Sequence, residues 1–287
     1  MKIKGTTKIT GVFGYPVTHT LSPIFQNSAF EYLGIDFVYL PFEVKPENLK
    51  TAVEAIKVFN WIGVNVTIPH KKEIIKYIDE LDETSKILEV VNTIHNLDGK
   101  LKGYTTDGDG FIRSLIEDGK FDPENKNIFI IGAGGSAYAI CGSLISKKVN
   151  SIFITNRTFE NAVKLKEHIQ RKLNFQKVEI IEFEKRNEKK IWESIDILIN
   201  TTSVGMKEGD TLLIDKKNIE KVKFVYDIVY NRKTELLKIA ENLKIPHLDG
   251  LSMLVYQGAI SFEIWTGKKA PVDIMKKSLQ EFSKFKY

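Results

Sequence analysis

The stretch NIFIIGAGGSAYA, residues 127–139, constrains the fold more than any other part of the chain. An apolar run predicts a buried strand, and a glycine-rich turn then leads into small residues that are typical of a helix. In such a turn the backbone can approach a pyrophosphate, and the helix N-terminus supplies N–H groups and a positive dipole. Ala137 replaces the third glycine of the G-x-G-x-x-G pattern, at a position that tolerates alanine. The stretch therefore predicts a dinucleotide-binding strand–turn–helix unit.

Short apolar runs alternate with helical patterns through almost the whole chain. Before residue 108 the patterns predict strands at 9–13, 37–41 and 63–68 and helices at 22–33, 47–59 and 72–78. Such alternation favours βαβ units and a mostly parallel sheet. The segment VVNTIHNLDGKLKGY predicts a hairpin, because two apolar runs flank Asp98-Gly99. From Asn127 a second alternation begins, with a doubly wound pattern.

These patterns predict an α/β protein with two domains. An N-terminal, mostly parallel α/β substrate domain is expected to comprise residues 1–108 and 249–287, and a Rossmann-type doubly wound domain residues 109–248. The last segment is assigned to the first domain because it contains two helical patterns and no further strand. We expect it to pack back on that domain and to leave a cleft between the two domains.

Composition excludes several classes of protein. The net charge of +5 is spread along the chain, which suits anionic small molecules and offers no concentrated basic face for nucleic acid. The single cysteine, Cys141, excludes an internal disulfide framework and a cysteine-rich zinc site, and its small-residue helix predicts a packing role. No metal site is predicted. The chain shows no apolar leader and no run of membrane-spanning length, so we expect a cytoplasmic protein, a monomer or homodimer, without a membrane partner.

The end of the next strand indicates which dinucleotide is bound. An enzyme that uses NAD usually carries an acidic residue there, which binds the ribose 2′-hydroxyl. This chain has TNRT at residues 155–158, without an acid. Arg157 can pair with a 2′-phosphate and stack on adenine, and Thr158 can donate a hydroxyl. The sequence therefore favours NADP over NAD.

Two further residues have the chemistry that hydride transfer needs. A hydride donor requires a partner that handles the proton on the substrate oxygen, and a lysine ammonium can do so. In WIGVNVTIPHKK, residues 61–72, Lys71 follows directly on a predicted strand. In GYTTDGDG, residues 103–110, Asp107 can aim that ammonium and fix its charge state. Spacing alone also permits both side chains to be solvated surface charges.

Taken together, these segments resemble the shikimate dehydrogenase family, including its quinate/shikimate members. The matching segments are GYPVTHTLSP, NVTIPHK, VVNT, TTDGDG, GAGGSA, NRT, DIVYN and DGLSMLVYQGAISFEIWTG, which cover nearly the whole chain in the family's order. The resemblance implies reduction of 3-dehydroshikimate to shikimate with NADPH, in the pathway to the aromatic amino acids. It also implies two domains, one for the substrate and one for NADP.

The resemblance implies a role for each matching residue. Lys71 corresponds to the family's proton-transferring lysine, and Asp107 to its carboxylate partner. The substrate carboxylate is expected to bind at Thr20 and Ser22 with help from Tyr230, and the ring hydroxyls at Thr67, Asn92 and Gln257. The expected cofactor contacts are Gly132, Ala133, Gly134, Gly135, Ser136, Asn156, Arg157, Thr158 and Asn161, with Ile228 and Gly250 near the nicotinamide.

Four positions depart from the family pattern. Thr20 replaces a usual serine, Gln26 a frequent histidine, and Thr105 the asparagine that is common before the T-D pair. Asn161 stands where a second basic residue often aids binding of the 2′-phosphate, which weakens the preference for NADP without reversing it. Two alternatives therefore stay open. One is a quinate/shikimate dehydrogenase with relaxed use of NAD and NADP, and the other is a catalytically silent ligand-binding sensor with the same fold.

Overall fold

The computed structural model describes residues 2–284. The chain divides into two compact units: residues up to Gly110 together with those from Leu254 onward form the first, and Phe111–Met253 form the second. Both boundaries fall inside helices, Asp107–Arg113 and Gly250–Thr266, rather than in loops. Each unit contains its own six-stranded sheet.

The sheet of the first unit is mixed. Its strands are β1 (Lys8–Gly14), β2 (Phe37–Glu43), β3 (Gly63–Val66), β4 (Glu80–Leu81), β5 (Thr93–Leu97) and β6 (Lys100–Tyr104), in the order β2-β1-β3-β5-β6-β4. Strand β1 runs parallel to β2 and β3, whereas β5 runs antiparallel to β3 and β6. Its first helices are α1 (Ser22–Tyr32), α2 (Leu49–Val58), α3 (Glu83–Leu88) and α4 (Asp107–Arg113).

Local sequence accounts for the turns of this unit. The predicted hairpin is confirmed, since β5 and β6 are joined at Asp98 and Gly99, which both adopt positive φ as a tight two-residue turn requires. The helix predicted at 72–78 is present as the 3-10 helix Glu73–Tyr77.

The second unit contains a fully parallel, doubly wound sheet. Its strands are β7 (Asn127–Ile131), β8 (Ser151–Thr155), β9 (Val178–Ile180), β10 (Ile197–Asn200), β11 (Phe224–Asp227) and β12 (His247–Leu248), in the order β12-β11-β10-β7-β8-β9. The helices are α5 (Gly135–Ser146), α6 (Phe159–Lys172), α7 (Lys216–Ile219) and α8 (Glu235–Asn242). Strands β10 and β11 are buried along their whole length, which explains their apolar runs without alternation. The carboxyl ends of β7, β10 and β11 lie side by side at one edge.

Two helices complete the described chain, α9 (Gly250–Thr266) and α10 (Val272–Lys284). Helix α10 packs on α1, and Phe262 of α9 stacks on Phe30 of α1 at 5.2 Å between ring centroids. The indole of Trp265 donates a hydrogen bond of 2.9 Å to the carbonyl of Ile94 in β5. From Leu254 onward the described chain thus packs on the first unit, while the first turn of α9 belongs to the second. No helix within residues 2–284 is long and apolar enough to cross a membrane.

Candidate active site

Lys71 and Asp107 form a buried ion pair in the first unit. The Lys71 ammonium donates a hydrogen bond to Oδ2 of Asp107, and their side chains are 13% and 8% exposed. The turn that follows β3 fixes the backbone before Lys71, because the His70 amide donates to the Thr67 carbonyl and the His70 ring binds the Val44 carbonyl at 2.7 Å. The pair predicted from sequence is therefore formed, and neither residue is a solvated surface charge.

Asn92, directly before β5, organises the groups around this pair. Its Nδ2 lies 2.9 Å from Oδ1 of Asp107, 2.8 Å from Oγ1 of Thr106 and 3.2 Å from Oε1 of Gln257. Its Oδ1 accepts a hydrogen bond of 2.7 Å from the Thr106 amide. An amide has two N–H groups, so three acceptors compete for them, and the longest contact, to Gln257, is the easiest to exchange for a ligand.

A second buried polar layer supports Asn92. The amide of Asn65 in β3 donates to the Asn92 carbonyl at 3.1 Å, to Thr93 Oγ1 at 3.0 Å and to Ser261 Oγ at 2.9 Å. The Tyr39 hydroxyl donates to Asn65 Oδ1 at 2.8 Å. A satisfied network of this kind gives the site one rigid arrangement. The sequence patterns did not predict Asn65, Ser261 or Thr106, although Thr106 lies next to Asp107 and Asn65 begins the NVTIPHK motif.

The N-terminus of α1 carries two of the predicted hydroxyls. Ser22 is the first residue of the helix, and its amide lies 3.3 Å from Oγ1 of Thr20. One turn further, the buried side chain of Gln26 donates a hydrogen bond of 2.8 Å to the carbonyl of Gly258, which is next to Gln257 on α9. Gln26 therefore ties α1 to the helix that carries Gln257. Ser22 is buried, and the backbone contact brings Thr20 next to it at the start of the helix.

The glycine-rich turn of the second unit leaves room for a ligand. Gly132 has φ +113, and a Cβ there would lie 2.4 Å from Oγ1 of Thr201, so the turn requires glycine. At Gly134 a Cβ would meet no heavy atom within 4 Å, and this residue caps α5 without a side-chain hydrogen bond. First-turn amides of a helix point beyond its end. The turn therefore leaves space and N–H groups for a pyrophosphate, and the assignment of Gly132–Ser136 as cofactor contacts stays a prediction.

The predicted selector of the cofactor, Arg157, lies after β8 and is exposed. Among the residues that the structure describes, its guanidinium has no hydrogen-bond or ionic partner, and it borders a cavity of about 260 Å³. The side chain of Asn156 donates a hydrogen bond of 2.8 Å to the Thr158 carbonyl, and the backbone N–H of Asn161 donates one of 3.1 Å to the same carbonyl. The four predicted residues thus lie together around the start of α6, with an unsatisfied cation that fits a phosphate.

The predicted nicotinamide residues lie against each other. A Cβ on Gly250 would be 1.9 Å from the carbonyl oxygen of Ile228, so only glycine permits this approach of α9 to the chain after β11. Tyr230 belongs to the same unit, and burial raises the pKa of its hydroxyl.

Nearby, Asp227 is fully buried and accepts hydrogen bonds from Asn200 Nδ2, the Val229 amide and Thr234 Oγ1. Desolvation raises the pKa of Asp227 to about 6.

Cys141 is fully buried, and desolvation raises the pKa of its thiol above the ordinary range. Its predicted packing role is therefore confirmed. Within residues 2–284 the structure contains no group of three or more His, Cys, Asp or Glu side chains that could hold a metal ion.

Three family descriptions match consecutive parts of this chain. Residues 12–94 match the shikimate dehydrogenase substrate binding domain, 116–252 the shikimate/quinate 5-dehydrogenase family, and 250–280 the shikimate 5′-dehydrogenase C-terminal domain. Shikimate dehydrogenase (NADP(+)) of Caldanaerobacter subterraneus subsp. tengcongensis is 44% identical over 272 residues, 93% of this chain and 95% of that protein.

Solved structures extend this similarity to the fold. A crystal structure of shikimate dehydrogenase in complex with NADP+ superposes with a TM-score of 0.89 at 39% identity, over 98% of this chain and 97% of that one. The Listeria monocytogenes shikimate 5-dehydrogenase in complex with shikimate and NAD gives a TM-score of 0.87 at 40% identity, over 97% of this chain and 98% of that one. The chain belongs to the shikimate dehydrogenase family.

Proposed function

We propose that this protein is an NADP-dependent shikimate dehydrogenase, an oxidoreductase that acts on a CH–OH group. It reduces 3-dehydroshikimate reversibly to shikimate, in the pathway to the aromatic amino acids. The observation that carries this proposal is the buried Lys71–Asp107 pair, held by Asn92, in a chain of this family. A lysine and an aspartate that were merely solvated would give no such support.

Lys71 handles the proton. Its ammonium donates a hydrogen bond to the substrate carbonyl oxygen and transfers a proton to that oxygen as the alkoxide develops. Asp107 accepts from Lys71 through Oδ2, while Asn92 occupies Oδ1, so the plane of the carboxylate is fixed. In the oxidation of shikimate the same atoms work in reverse, and Lys71 takes the hydroxyl proton.

Polar groups around this pair orient the substrate. We assign the ring hydroxyls to Thr67, Asn92 and Gln257, with the Asn92–Gln257 contact of 3.2 Å exchanged for a contact to substrate. We assign the substrate carboxylate to the hydroxyls of Thr20 and Ser22 at the N-terminus of α1, whose dipole favours an anion, together with Tyr230. Because such donors and acceptors would be left unpaired, a substrate without a matching hydroxyl is rejected strongly.

The second unit holds the cofactor in this proposal. When bound, NADPH supplies the hydride that the carbonyl carbon accepts. The turn at Gly132–Ser136 holds the pyrophosphate with backbone N–H groups, and Arg157 pairs with the 2′-phosphate. Asn156, Thr158 and Asn161 complete that end of the site, and Ile228 and Gly250 border the nicotinamide. Gly134 has the free space and Arg157 the unused cation that these roles need.

Initial rates with purified protein test the proposal. Shikimate and quinate are each paired with NADP+ and NAD+, and formation of reduced nicotinamide is followed by absorbance. We expect turnover to be fastest with shikimate and NADP+. Absence of turnover with both acids and both cofactors, while ligands still bind, would contradict the proposal and favour a sensor.

A quinate/shikimate dehydrogenase with relaxed cofactor use is the second candidate. Asn161 is an uncharged residue beside Arg157, so the 2′-phosphate meets fewer positive charges than a second basic residue would provide. Comparable rates with NAD+ or with quinate would favour this candidate without changing the roles of Lys71 and Asp107. In either case we propose a cytoplasmic protein that works as a monomer or homodimer, since one chain carries every assigned residue.

A further inference from the structure

The cavity beside Arg157 contains charges of both signs. It has a volume of about 260 Å³ and is lined by Asn156, Arg157, Phe159, Glu182, Phe183 and Glu184. Strands β8 and β9 are parallel neighbours, so the residues that follow each strand meet at the same edge of the sheet. Arg157 follows β8, and Glu182–Glu184 follow β9. One cation and two carboxylates therefore face the volume that the proposed function assigns to the 2′-phosphate.

The two carboxylates differ in how they are compensated. Glu182 forms an ion pair with Lys185, 2.9 Å from its Oε2. Among the described residues Glu184 has no hydrogen-bond or ionic partner, and its side chain is exposed. The Lys185 ammonium, which pairs directly with Glu182, acts on the Glu184 carboxylate through its charge alone, so Glu184 borders the cavity as a carboxylate without a direct ion pair among the described residues.

Neighbouring contacts hold Glu184 in the wall of the cavity. The Arg186 guanidinium lies 3.8 Å from the centre of the Phe183 ring, and its Nε donates a hydrogen bond of 2.7 Å to the Leu213 carbonyl. Glu184 lies in the middle of the 3-10 helix Phe183–Lys185. The backbone that carries Glu184 is thus anchored through Phe183 and Arg186.

We propose that Glu184 is a specificity-determining residue that opposes Arg157 and relaxes the preference for NADPH over NADH. This inference rests on the proposed function and adds a residue to it. The carboxylate repels a 2′-phosphate dianion, whereas a ribose 2′-hydroxyl is neutral and can donate a hydrogen bond to a carboxylate. In enzymes that use NAD an acid at the end of the preceding strand has this effect. Here the acid is supplied by the following strand.

Binding of cofactor without substrate tests this inference. Dissociation constants for NADPH and NADH are measured by nicotinamide fluorescence with wild-type protein, Glu184→Gln and Glu184→Lys. Glu188→Gln is the matched control, because it removes the same charge from the same segment and does not line the cavity. We expect Glu184→Gln to raise the affinity ratio of NADPH to NADH by about twofold to fivefold, the range of exposed charge pairs. Glu184→Lys raises it further, and added salt reduces both effects.

Equal changes for both nucleotides, or an equal effect of Glu188→Gln, would overturn the role of Glu184. The same would follow if Glu184→Lys left the ratio unchanged. Rates with shikimate and NADP+ are measured on the same wild-type sample. These rates separate the role of Glu184 in cofactor preference from the proposed dehydrogenase function. Turnover together with an unchanged ratio refutes only the inference, whereas absence of turnover and of NADPH binding refutes the proposed function as well.

Discussion

Nδ2 of Asn92 lies 2.9 Å from Oδ1 of Asp107, the oxygen of that carboxylate that Lys71 does not use. Each oxygen thus has its own donor, one from the residue before β5 and one from the turn after β3. The carboxylate is fixed between two elements of the first unit, and the direction of the Lys71 ammonium is fixed with it.

Replacing Lys71 is expected to abolish most of the turnover. Lys71→Ala removes the group that exchanges the proton, and such groups typically contribute about 10²-fold or more, so kcat should fall by at least that factor. KM for shikimate should change little. Steady-state rates with shikimate and NADP+ measure both values. Lys72→Ala is the control, because Lys72 is the exposed neighbour and should keep wild-type rates. An unchanged kcat in Lys71→Ala would refute the assignment.

Asn92 should affect both the reaction and the fold. Asn92→Ala releases one oxygen of Asp107 and leaves the Thr106 amide without its acceptor, so we expect a loss of about 1–3 kcal/mol in the free energy of unfolding. A carboxylate misplaced by about 1 Å can cost about 10²-fold in rate. Urea unfolding and kcat are measured for this variant.

Asn96→Ala provides the matched control for Asn92. Asn96 is also a buried asparagine, and it donates to the carbonyls of Ile56 and Trp61 rather than to the catalytic pair. We expect a comparable loss of stability with kcat retained. A similar fall in kcat for both variants would mean that Asn92 acts through stability alone.

Arg157 should distinguish the two cofactors. Hydrogen bonds to charged groups contribute about 1.5–3 kcal/mol. Arg157→Ala is therefore expected to lower the binding affinity for NADPH by about tenfold to 100-fold, and the affinity for NADH far less. Fluorescence titrations measure both affinities. Arg171→Ala removes an exposed arginine from α6 that pairs with Glu167, and both affinities should stay unchanged. Equal losses for NADPH and NADH in Arg157→Ala would mean that Arg157 does not contact the 2′-phosphate.

Two glycines of the same turn should respond differently. Gly132→Ala forces a side chain into φ +113 and against Thr201, which lowers the stability of the second unit. Gly134→Ala meets no heavy atom within 4 Å and alters only the N-cap of α5, so the melting temperature should fall less than in Gly132→Ala. Its methyl group occupies the volume proposed for the pyrophosphate, so NADPH affinity should fall. Thermal unfolding and NADPH titration of both variants test this, and unchanged NADPH affinity in Gly134→Ala would place the pyrophosphate elsewhere.

Local patterns predicted the elements of the fold that depend on neighbouring residues. The apolar runs at β10 and β11, the Asp98-Gly99 hairpin and the glycine-rich turn each carry their structural cause within a few residues. A helix was predicted at 72–78, but a pattern of so few residues does not show that it is the 3-10 helix Glu73–Tyr77. The two-residue strands β4 and β12 were also not predicted, since they have too few residues to show a period.

The candidate site divides in a similar way. Lys71 and Asp107 stand in recognisable motifs, whereas Ser261 lies in an apolar helical stretch and gives no sign of its contact with Asn65. That contact depends on how α9 packs on the sheet, which only the tertiary structure defines. Likewise, Glu184 is one exposed acid among many in the sequence. The pairing of β8 with β9 is what brings it to the cavity of Arg157.

Asp227 should make stability depend on pH. Desolvation raises its pKa from 3.8 to about 6, so the folded protein holds this proton more tightly than the unfolded chain. Its contribution to the free energy of unfolding is therefore complete below about pH 3.8 and is lost as the pH rises through about 6. A pKa change of this size corresponds to about 3 kcal/mol.

The variant Asp227→Asn isolates this effect, because it cannot titrate and keeps a similar shape. Groups distant from Asp227 titrate equally in both proteins, so the difference in unfolding free energy between wild type and variant reports on Asp227 and on its electrostatic coupling to Asp249. We expect the stability of wild type relative to the variant to fall by up to about 3 kcal/mol between about pH 4 and pH 7. Urea unfolding at several pH values measures it. A difference that stays constant would show that Asp227 binds its proton no more tightly in the folded protein than in the unfolded chain, and that its bonds to Asn200 and Thr234 offset its desolvation.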